Sequence, residues 1–282
     1  MKRCLAFVLG GGGARGALQL GALRALFEAG FKPDLLVGTS IGAVNAAGLA
    51  LWGTDLAGIG LLERAYQEVA DAHVMDPRLA QITLRALSGR PNQHASRWVK
   101  AYLNSKGVTP DLRFDQVPHA RLGLIGADLN TGQPVIYGQD TSQCVFEGIM
   151  ASIAIPPWFT PLNKDGHTIM DGGTLSNLPV EPAMTLGATE IIALDLDDPE
   201  GMLGFGIAQS QQLEKLVSSV TRRQARLELA LAAARSVPVH YLMLKSSPPI
   251  PIWDFSKHRE LSQAGYEIAR KKIPGWITGQ LT

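Results

Sequence analysis

Short apolar runs and helical spacings alternate from the start of the chain. Leu5-Ala6-Phe7-Val8-Leu9 is a continuous apolar run of strand length, and a glycine cluster ends it. Leu18, Leu20, Leu23, Leu26 and Phe27 then recur at threes and fours, which predicts a helix over 17–29 closing at Gly30. Leu35-Leu36-Val37 is a second strand run, followed by an alanine-rich helix over 42–52. This alternation predicts an α/β fold of three layers, α/β/α, with a mainly parallel central sheet. Residues 55–105 read as helices broken at Asp76-Pro77 and Gly89-Arg90-Pro91, an all-helical insertion that would serve as a cap. Strands are expected at Leu122–Ala127 and Val135–Tyr137, a helix over 142–153, another near 179–186, and a strand over 191–195. Residues 196–206 read as a loop. A long helix follows to about Ala234, then a strand Val239–Leu244 and a polar helix near 256–272. Ser246-Ser247-Pro248-Pro249-Ile250-Pro251 is too rigid for a helix and reads as an extended connector. On the long helix Leu213, Leu216, Val217 and Val220 form one apolar stripe, expected to pack on the core, with a lipid-facing helix as the alternative.

The chemistry concentrates at two turns. Gly38-Thr39-Ser40-Ile41-Gly42 lies between a strand and a helix, the setting in which G-x-S-x-G forms a nucleophile elbow. The turn pushes the serine hydroxyl into a cleft, and the helix behind it directs its positive end at any anion formed on attack. The other turn is Gly10-Gly11-Gly12-Gly13-Ala14-Arg15-Gly16. A loop so rich in glycine can turn several backbone N–H groups toward one point, which suits a phosphate or an acyl-transfer oxyanion. Gly11, Gly13 and Gly16 fit the G-x-G-x-x-G spacing, but the acidic partner that a dinucleotide needs after the next strand is missing. Asp34 precedes Leu35–Val37 and would sit at the wrong end of that strand. A P-loop is excluded because no G-K-[ST] follows. A nucleophile beside its oxyanion hole fits the two turns better.

A serine hydroxyl needs a neighbouring base. None of the six histidines lies in a signature. His73 and His94 read as surface residues, His119 as a loop residue, His167 as part of a turn with Asn163-Lys164-Asp165-Gly166, His240 as a strand residue and His258 as the start of the last helix. Asp171-Gly172-Gly173 follows the apolar run Thr168-Ile169-Met170. A carboxylate at a strand end without bulky neighbours can approach another backbone closely; an ordinary Asp-Gly turn has the same pattern.

Taken together, these residues resemble the patatin-like phospholipases. The glycine loop G-G-G-x-[RK]-G matches Gly11 to Gly16, the elbow matches Gly38 to Gly42, A-S-x-A-x-P-x-x-F-x-P matches Ala151 to Pro161, and D-G-[GA] matches Asp171-Gly172-Gly173. The blocks stand in the family order and span roughly the first two hundred residues. The resemblance implies a patatin-like fold and a Ser–Asp dyad without histidine: Ser40 as nucleophile and Asp171 as its base. It implies an oxyanion hole from the N–H groups of Gly11, Gly12, Gly13 and Ile41, supported by Arg15, Gly16, Gly38, Gly42, Gly172 and Gly173. Arg15 is expected to orient the glycine loop. A dyad base must be partly desolvated, and Ile169, Met170, Trp158 and Phe159 would supply that environment. The implied activity is a carboxylic ester hydrolase of the phospholipase A or lysophospholipase type, working through an acyl-enzyme. It needs no metal and no cofactor. A Ser-His-Asp esterase or acyl transferase with His240 or His258 as base, and a lipid-binding regulator with little turnover, are the competing readings.

Composition bounds the rest. The 282 residues carry a net charge of +1, which gives no electrostatic case for nucleic acid. Hydrophobic residues make up 46%, enough for a sizeable core. Two cysteines, Cys4 and Cys144, fit a reducing compartment. No apolar run is long enough to span a membrane, and the short run after Met1-Lys2-Arg3 is too brief for a signal peptide. The expectation is one patatin-like unit over 1–282, its core about 1–200 with the insertion at 55–105, and residues 201–282 a helical extension with one strand. It would be cytoplasmic, with a peripheral role at membranes, and would act on a lipid ester.

Overall fold

The computed structural model describes residues 3–75, 93–156, 158–196 and 210–277. The expected helix breaks at Asp76-Pro77 and Gly89-Arg90-Pro91, and the expected loop beyond Leu196, lie outside the described residues. The strands are β1 (Leu5–Leu9), β2 (Leu35–Thr39), β3 (Arg121–Asp128), β4 (Gln133–Tyr137), β5 (Leu162–Lys164), β6 (His167–Asp171), β7 (Glu190–Asp195) and β8 (Val239–Met243). The helices are α1 (Ala17–Glu28), α2 (Ile41–Trp52), α3 (Leu56–Asp71), α4 (Gln93–Ser105), α5 (Val145–Ser152), α6 (Val180–Thr185), α7 (Ser210–Ala234) and α8 (His258–Ile277).

All the strands join one sheet in the order β5-β6-β3-β2-β1-β7-β8, with β4 paired to β3. β2, β1, β7 and β8 run parallel to one another, and β3 is parallel to β2. β4, β5 and β6 are antiparallel to their partners, so the sheet is mixed at one end. The alternation of side chains sorts the core into two halves. Leu5, Phe7 and Leu9 of β1 face one helical layer with Leu36, Ile192 and Leu194. Ala6 and Val8 face the other with Leu35, Val37, Ile191 and Ala193. The first layer holds residues of α1, α2, α5 and α8; the second holds Val180 and Ala183 of α6 and Ala225 and Ala232 of α7. The expected three-layer α/β/α arrangement is therefore the observed one.

The three-residue strand β5 was not expected from the sequence. The turn expected over Asn163–Gly166 is shorter than that: Asn163 and Lys164 belong to β5, His167 is already in β6, and only Asp165 and Gly166, both at positive φ, form the tip of the β5–β6 hairpin. The fork at β3 matters more. Leu124 and Ile125 pair with β2 on one edge and with β4 on the other. From Gly126 to Asp128 β4 keeps its edge, so β6 takes the edge that β2 has left. β2 and β6 thus meet end to end, C-terminus to C-terminus: Thr39 lies opposite Ile125 and Asp171 opposite Gly126.

The C-terminal segment is packed against the opening one. α8 lies along α1, and the helices touch backbone to backbone through two glycines. A Cβ on Gly21 would fall 1.7 Å from the Ser262 carbonyl oxygen, and one on Gly265 would fall 1.9 Å from that of Leu18. Gly265→Ala should therefore force the helices apart and cost about 1–3 kcal/mol, as overpacking does. A urea midpoint unchanged from the wild type would show that α8 does not hold to α1 in this way.

Candidate active site

The elbow exists because backbone passes within contact of backbone. A Cβ on Gly38 would fall 2.2 Å from the Gly42 carbonyl oxygen, and one on Gly42 would fall 2.1 Å from that of Leu9. Between them Ser40 has φ 57 and ψ −124, a conformation that a non-glycine residue adopts only when its surroundings enforce it. The enforcing contacts are visible. Ser40 N–H donates to Ser152 Oγ at 2.9 Å, and Ser152 Oγ–H donates to the Ile125 carbonyl of β3 at 2.6 Å. The Thr39 hydroxyl donates to the Ser176 carbonyl at 2.8 Å. Ser40 is the N-cap of α2, whose leading N–H groups have no partner within the helix.

Asp171 arrives from the far side of the chain. Its N–H donates to the Ala154 carbonyl at 3.1 Å, and its Oδ1 accepts the Gly173 N–H at 2.8 Å. The short turn Gly172–Thr174 that follows supplies this second contact. The residue is only 4% exposed. Burial pushes its pKa up to about 6, against the opposing pull of the Ser40 hydroxyl and the Gly173 N–H. The Ser40 side chain is thus close enough to act on the carboxyl, while Oδ2, buried, completes no hydrogen bond. A loose contact of this kind is common before substrate is bound. Ser152 and Ala154, at the end of α5, hold one member of the pair each.

The glycine loop is fastened above the pair. Gly10 N–H donates to the Leu194 carbonyl at 3.0 Å, Gly11 N–H to that of Asn177 at 3.1 Å and Ala14 N–H to that of Ile252. Gly11 was expected to lend its N–H to an oxyanion; that group is already donated to Asn177, because the turn after β6 closes directly under the loop. Among the described residues no acceptor takes the N–H groups of Gly12, Gly13 or Ile41. Gly13 has φ 59, and a Cβ there would fall 2.2 Å from the Ile252 carbonyl oxygen. The proline-rich connector thus ends as a strap on the glycine loop. Arg15 Nε donates to the Gly12 carbonyl at 3.2 Å, a contact between this side chain and the glycine loop.

A buried polar chain underneath was not foreseen. Gln19 Nε2 donates to the carbonyls of Gly10 and Leu194, Asn45 Nδ2 to Gln19 Oε1 and the Gly16 carbonyl, and the Tyr66 hydroxyl to Asn45 Oδ1. Each is a polar residue at helical spacing, indistinguishable in sequence from a surface one. Ser152 could have been found, since it lies inside the Ala151–Pro161 block; its hydrogen bonds could not. Asp34 sits at the start of β2 and accepts the Leu5 N–H at 2.9 Å, as its position before the strand implied.

Ser40, Ile41, Asp171, Gly173 and Gly11–Gly13 line one cavity of about 520 Å³. Its other walls are mainly apolar: Trp98, Val99, Tyr102 and Leu103 from α4, Ile149 from α5 and Phe159 from the following loop. No described histidine side chain lines it. His167 bonds Asp128 at the opposite end of β6, His240 bonds Glu190, and His258 bonds the Phe255 carbonyl. His94 lies among residues whose side chains are not described.

The patatin-like phospholipase family model matches residues 7–184. The chain belongs to that family. It is 29% identical over 294 residues to patatin-like phospholipase domain-containing protein 7 of Rattus norvegicus, covering 97% of this chain and 21% of that protein. It is 27% identical over 291 residues to lysophospholipase nte1 of Aspergillus terreus, covering 96% of this chain and 18% of that protein. The chain thus spans about a fifth of the length of these relatives. Among solved structures, VipD from Legionella pneumophila aligns over 97% of this chain and 67% of its own, at 16% identity and a TM-score of 0.48.

The raised pKa of Asp171 has a consequence for stability. The native state holds the proton more tightly than the unfolded chain, so this contribution is full below about pH 4 and is lost as pH rises through about 6. At one pH unit per ~1.4 kcal/mol, burying the ionised carboxylate costs up to about 3 kcal/mol. Asp171→Asn keeps the acceptor for Gly173 and removes that cost. The variant should be more stable than the wild type at pH 8 and lose the advantage near pH 4, read from urea midpoints at both. The buried carboxyl of Glu228, also pushed up to about 7, is common to both proteins and cancels. A difference independent of pH would contradict the assignment.

Proposed function

We propose that the chain is a serine acyl hydrolase that cleaves carboxylic ester bonds of lipids, of the phospholipase A or lysophospholipase type, through a Ser40–Asp171 dyad. The observation that carries the reading is the Ser40 hydroxyl beside a buried carboxyl in an apolar cavity, under unpaired N–H groups. Membership of the patatin-like phospholipases and the name of the Aspergillus relative, a lysophospholipase, agree with it.

Ser40 Oγ attacks the ester carbonyl while Asp171 takes its proton. A carboxylate with a pKa near 6 is a better base than an ordinary aspartate and is still ionised at pH 7. The tetrahedral oxyanion is held by N–H groups of Gly12, Gly13 and Ile41, with the positive end of α2 behind them. Collapse expels the alcohol, which recovers the proton from Asp171 and leaves the acyl group on Ser40. Water, deprotonated by Asp171, then hydrolyses the acyl-enzyme and restores the serine. The apolar walls from α4 and α5 take the acyl chain. The reading includes a single patatin-like unit over residues 1–282, supported by the packing of α8 on α1, and a cytoplasmic site of action, supported by two free cysteines.

Ser40→Ala and Asp171→Asn should each lower kcat/KM on a short-chain ester by about a thousandfold or more, within the range that loss of a nucleophile or its base produces. Wild-type kcat/KM should fall below about pH 6 as one proton is taken up. Single substitution of each histidine should leave turnover within a few fold. A histidine variant that stops acylation by a fluorophosphonate, or an Asp171→Asn enzyme of full activity, would remove the dyad.

A further inference from the structure

The two ends of α7 are built differently. Its C-terminal half is anchored. Ala225 and Ala232 are buried, Glu228 accepts the Ser176 hydroxyl at 2.7 Å and the Glu181 N–H at 2.9 Å, and Gln224 Oε1 accepts the Asn177 N–H at 3.3 Å. These acceptors tie the helix to the turn that carries Asp171. The opposite side of α7 faces outward. Leu216, Val217, Val220 and Leu227 are 60%, 41%, 53% and 52% exposed. The expectation that the stripe of Leu216, Val217 and Val220 packs on the core is therefore corrected: the helix buries Ala225, Glu228 and Ala232 instead, and the stripe points away. Leu213 lies outside the described side chains.

Leu216, Val220, Arg223 and Leu227 follow one another at intervals of four, three and four, so they share one helical face. Lys215, Arg223 and Arg226 are exposed beside it, and among the described residues no ion pair uses them. Between Lys215 and Ala234 the only acidic residue is Glu228, which is buried. The outward side is thus apolar and cationic together. It is also continuous with the cavity: Leu216, Val217 and Val220 line the mouth of the space that holds Ser40 and Asp171.

We propose that this face of α7 docks on an anionic lipid surface and that an acyl chain enters the cavity along Leu216, Val217 and Val220. Apolar side chains flanked by arginine and lysine are what an interfacial helix presents to acyl chains and lipid phosphates. A second copy of the chain fits less well, because self-pairing across this face would bring Arg223 and Arg226 against their own copies. The proposal rests on the acyl-hydrolase reading for the meaning of the cavity, but docking is measurable without turnover.

The test uses full-length Asp171→Asn protein, sedimented with vesicles of phosphatidylcholine alone or mixed equally with phosphatidylglycerol. It should bind the mixed vesicles, less so at high salt. Arg223→Glu with Arg226→Glu should weaken that binding by roughly tenfold or more, and Leu227→Glu should weaken it on both vesicle types. These three positions do not line the cavity, so with Asp171 restored the same variants should hydrolyse a dissolved short-chain ester at the wild-type rate. Failure of Asp171→Asn protein to bind, or equal binding by the variants, overturns the proposal. A dimer in solution that Leu227→Glu dissociates, without vesicle binding, assigns the face to a second copy and overturns it too. Vesicle binding in a protein whose wild type hydrolyses no ester would sustain docking and sink the hydrolase reading.

Discussion

The structure depends on one shared edge. β3 gives its first five residues to parallel β2 and its last three, on the same side, to antiparallel β6. This pairing brings the C-terminal ends of two strands from distant parts of the chain face to face. Ser40 follows the end of one and Asp171 ends the other. The nearness of hydroxyl and carboxyl is therefore a property of sheet register, not of loops. A one-residue slip of β6 on β3 would turn Asp171 to the opposite face of the sheet.

That juncture concentrates cost. Ser40 is held in a conformation unfavourable to an L-residue, and Asp171 is a carboxyl removed from water. Both are tolerated because hydrogen bonds from their own backbone and from the loop beside them anchor them: Ser152 and Ala154 receive the N–H groups of the two residues, and Asn177 and Ile252 receive those of Gly11 and Ala14. Among the described residues, the N–H groups of Gly12, Gly13 and Ile41 and one oxygen of Asp171 stay unengaged beside this juncture, and all four residues line the cleft. Unsatisfied polar groups gathered at one point are what an acyl-transfer site requires, since the reaction supplies their partners.

Much of this was legible in the sequence. The alternation of apolar runs with helical spacings set out β1, α1, β2 and α2, and the glycines at 38 and 42 identified the elbow because only two crossing backbones demand them. Ser40, Asp171 and the glycine loop were therefore within reach of pattern alone or of the family resemblance. The rest depended on contacts between segments far apart in sequence. The three-residue β5 is too short for a periodicity. The donation of the Gly11 N–H to Asn177 requires two turns 166 residues apart to touch. The chain Tyr66–Asn45–Gln19 uses residues that would be equally at home on a surface. The stripe on α7 was read correctly as apolar but assigned to the core, because amphipathic spacing does not say which of two faces is covered. The buried face is marked instead by two alanines and one glutamate, which carry no apolar stripe to read.

The proposed pairing of Ser40 with Asp171 beneath the glycine amides underlies the rest. It is tested most directly by a crystal structure of the protein inactivated with an alkyl fluorophosphonate. The expected result is phosphorus bonded to Ser40 Oγ, its anionic oxygen within hydrogen-bonding distance of N–H groups from Gly12, Gly13 and Ile41, the Asp171 carboxyl beside Ser40, and the alkyl chain among the walls of α4 and α5. Phosphorus on another side chain, or an imidazole occupying the place of Asp171 next to Ser40 Oγ, would contradict it.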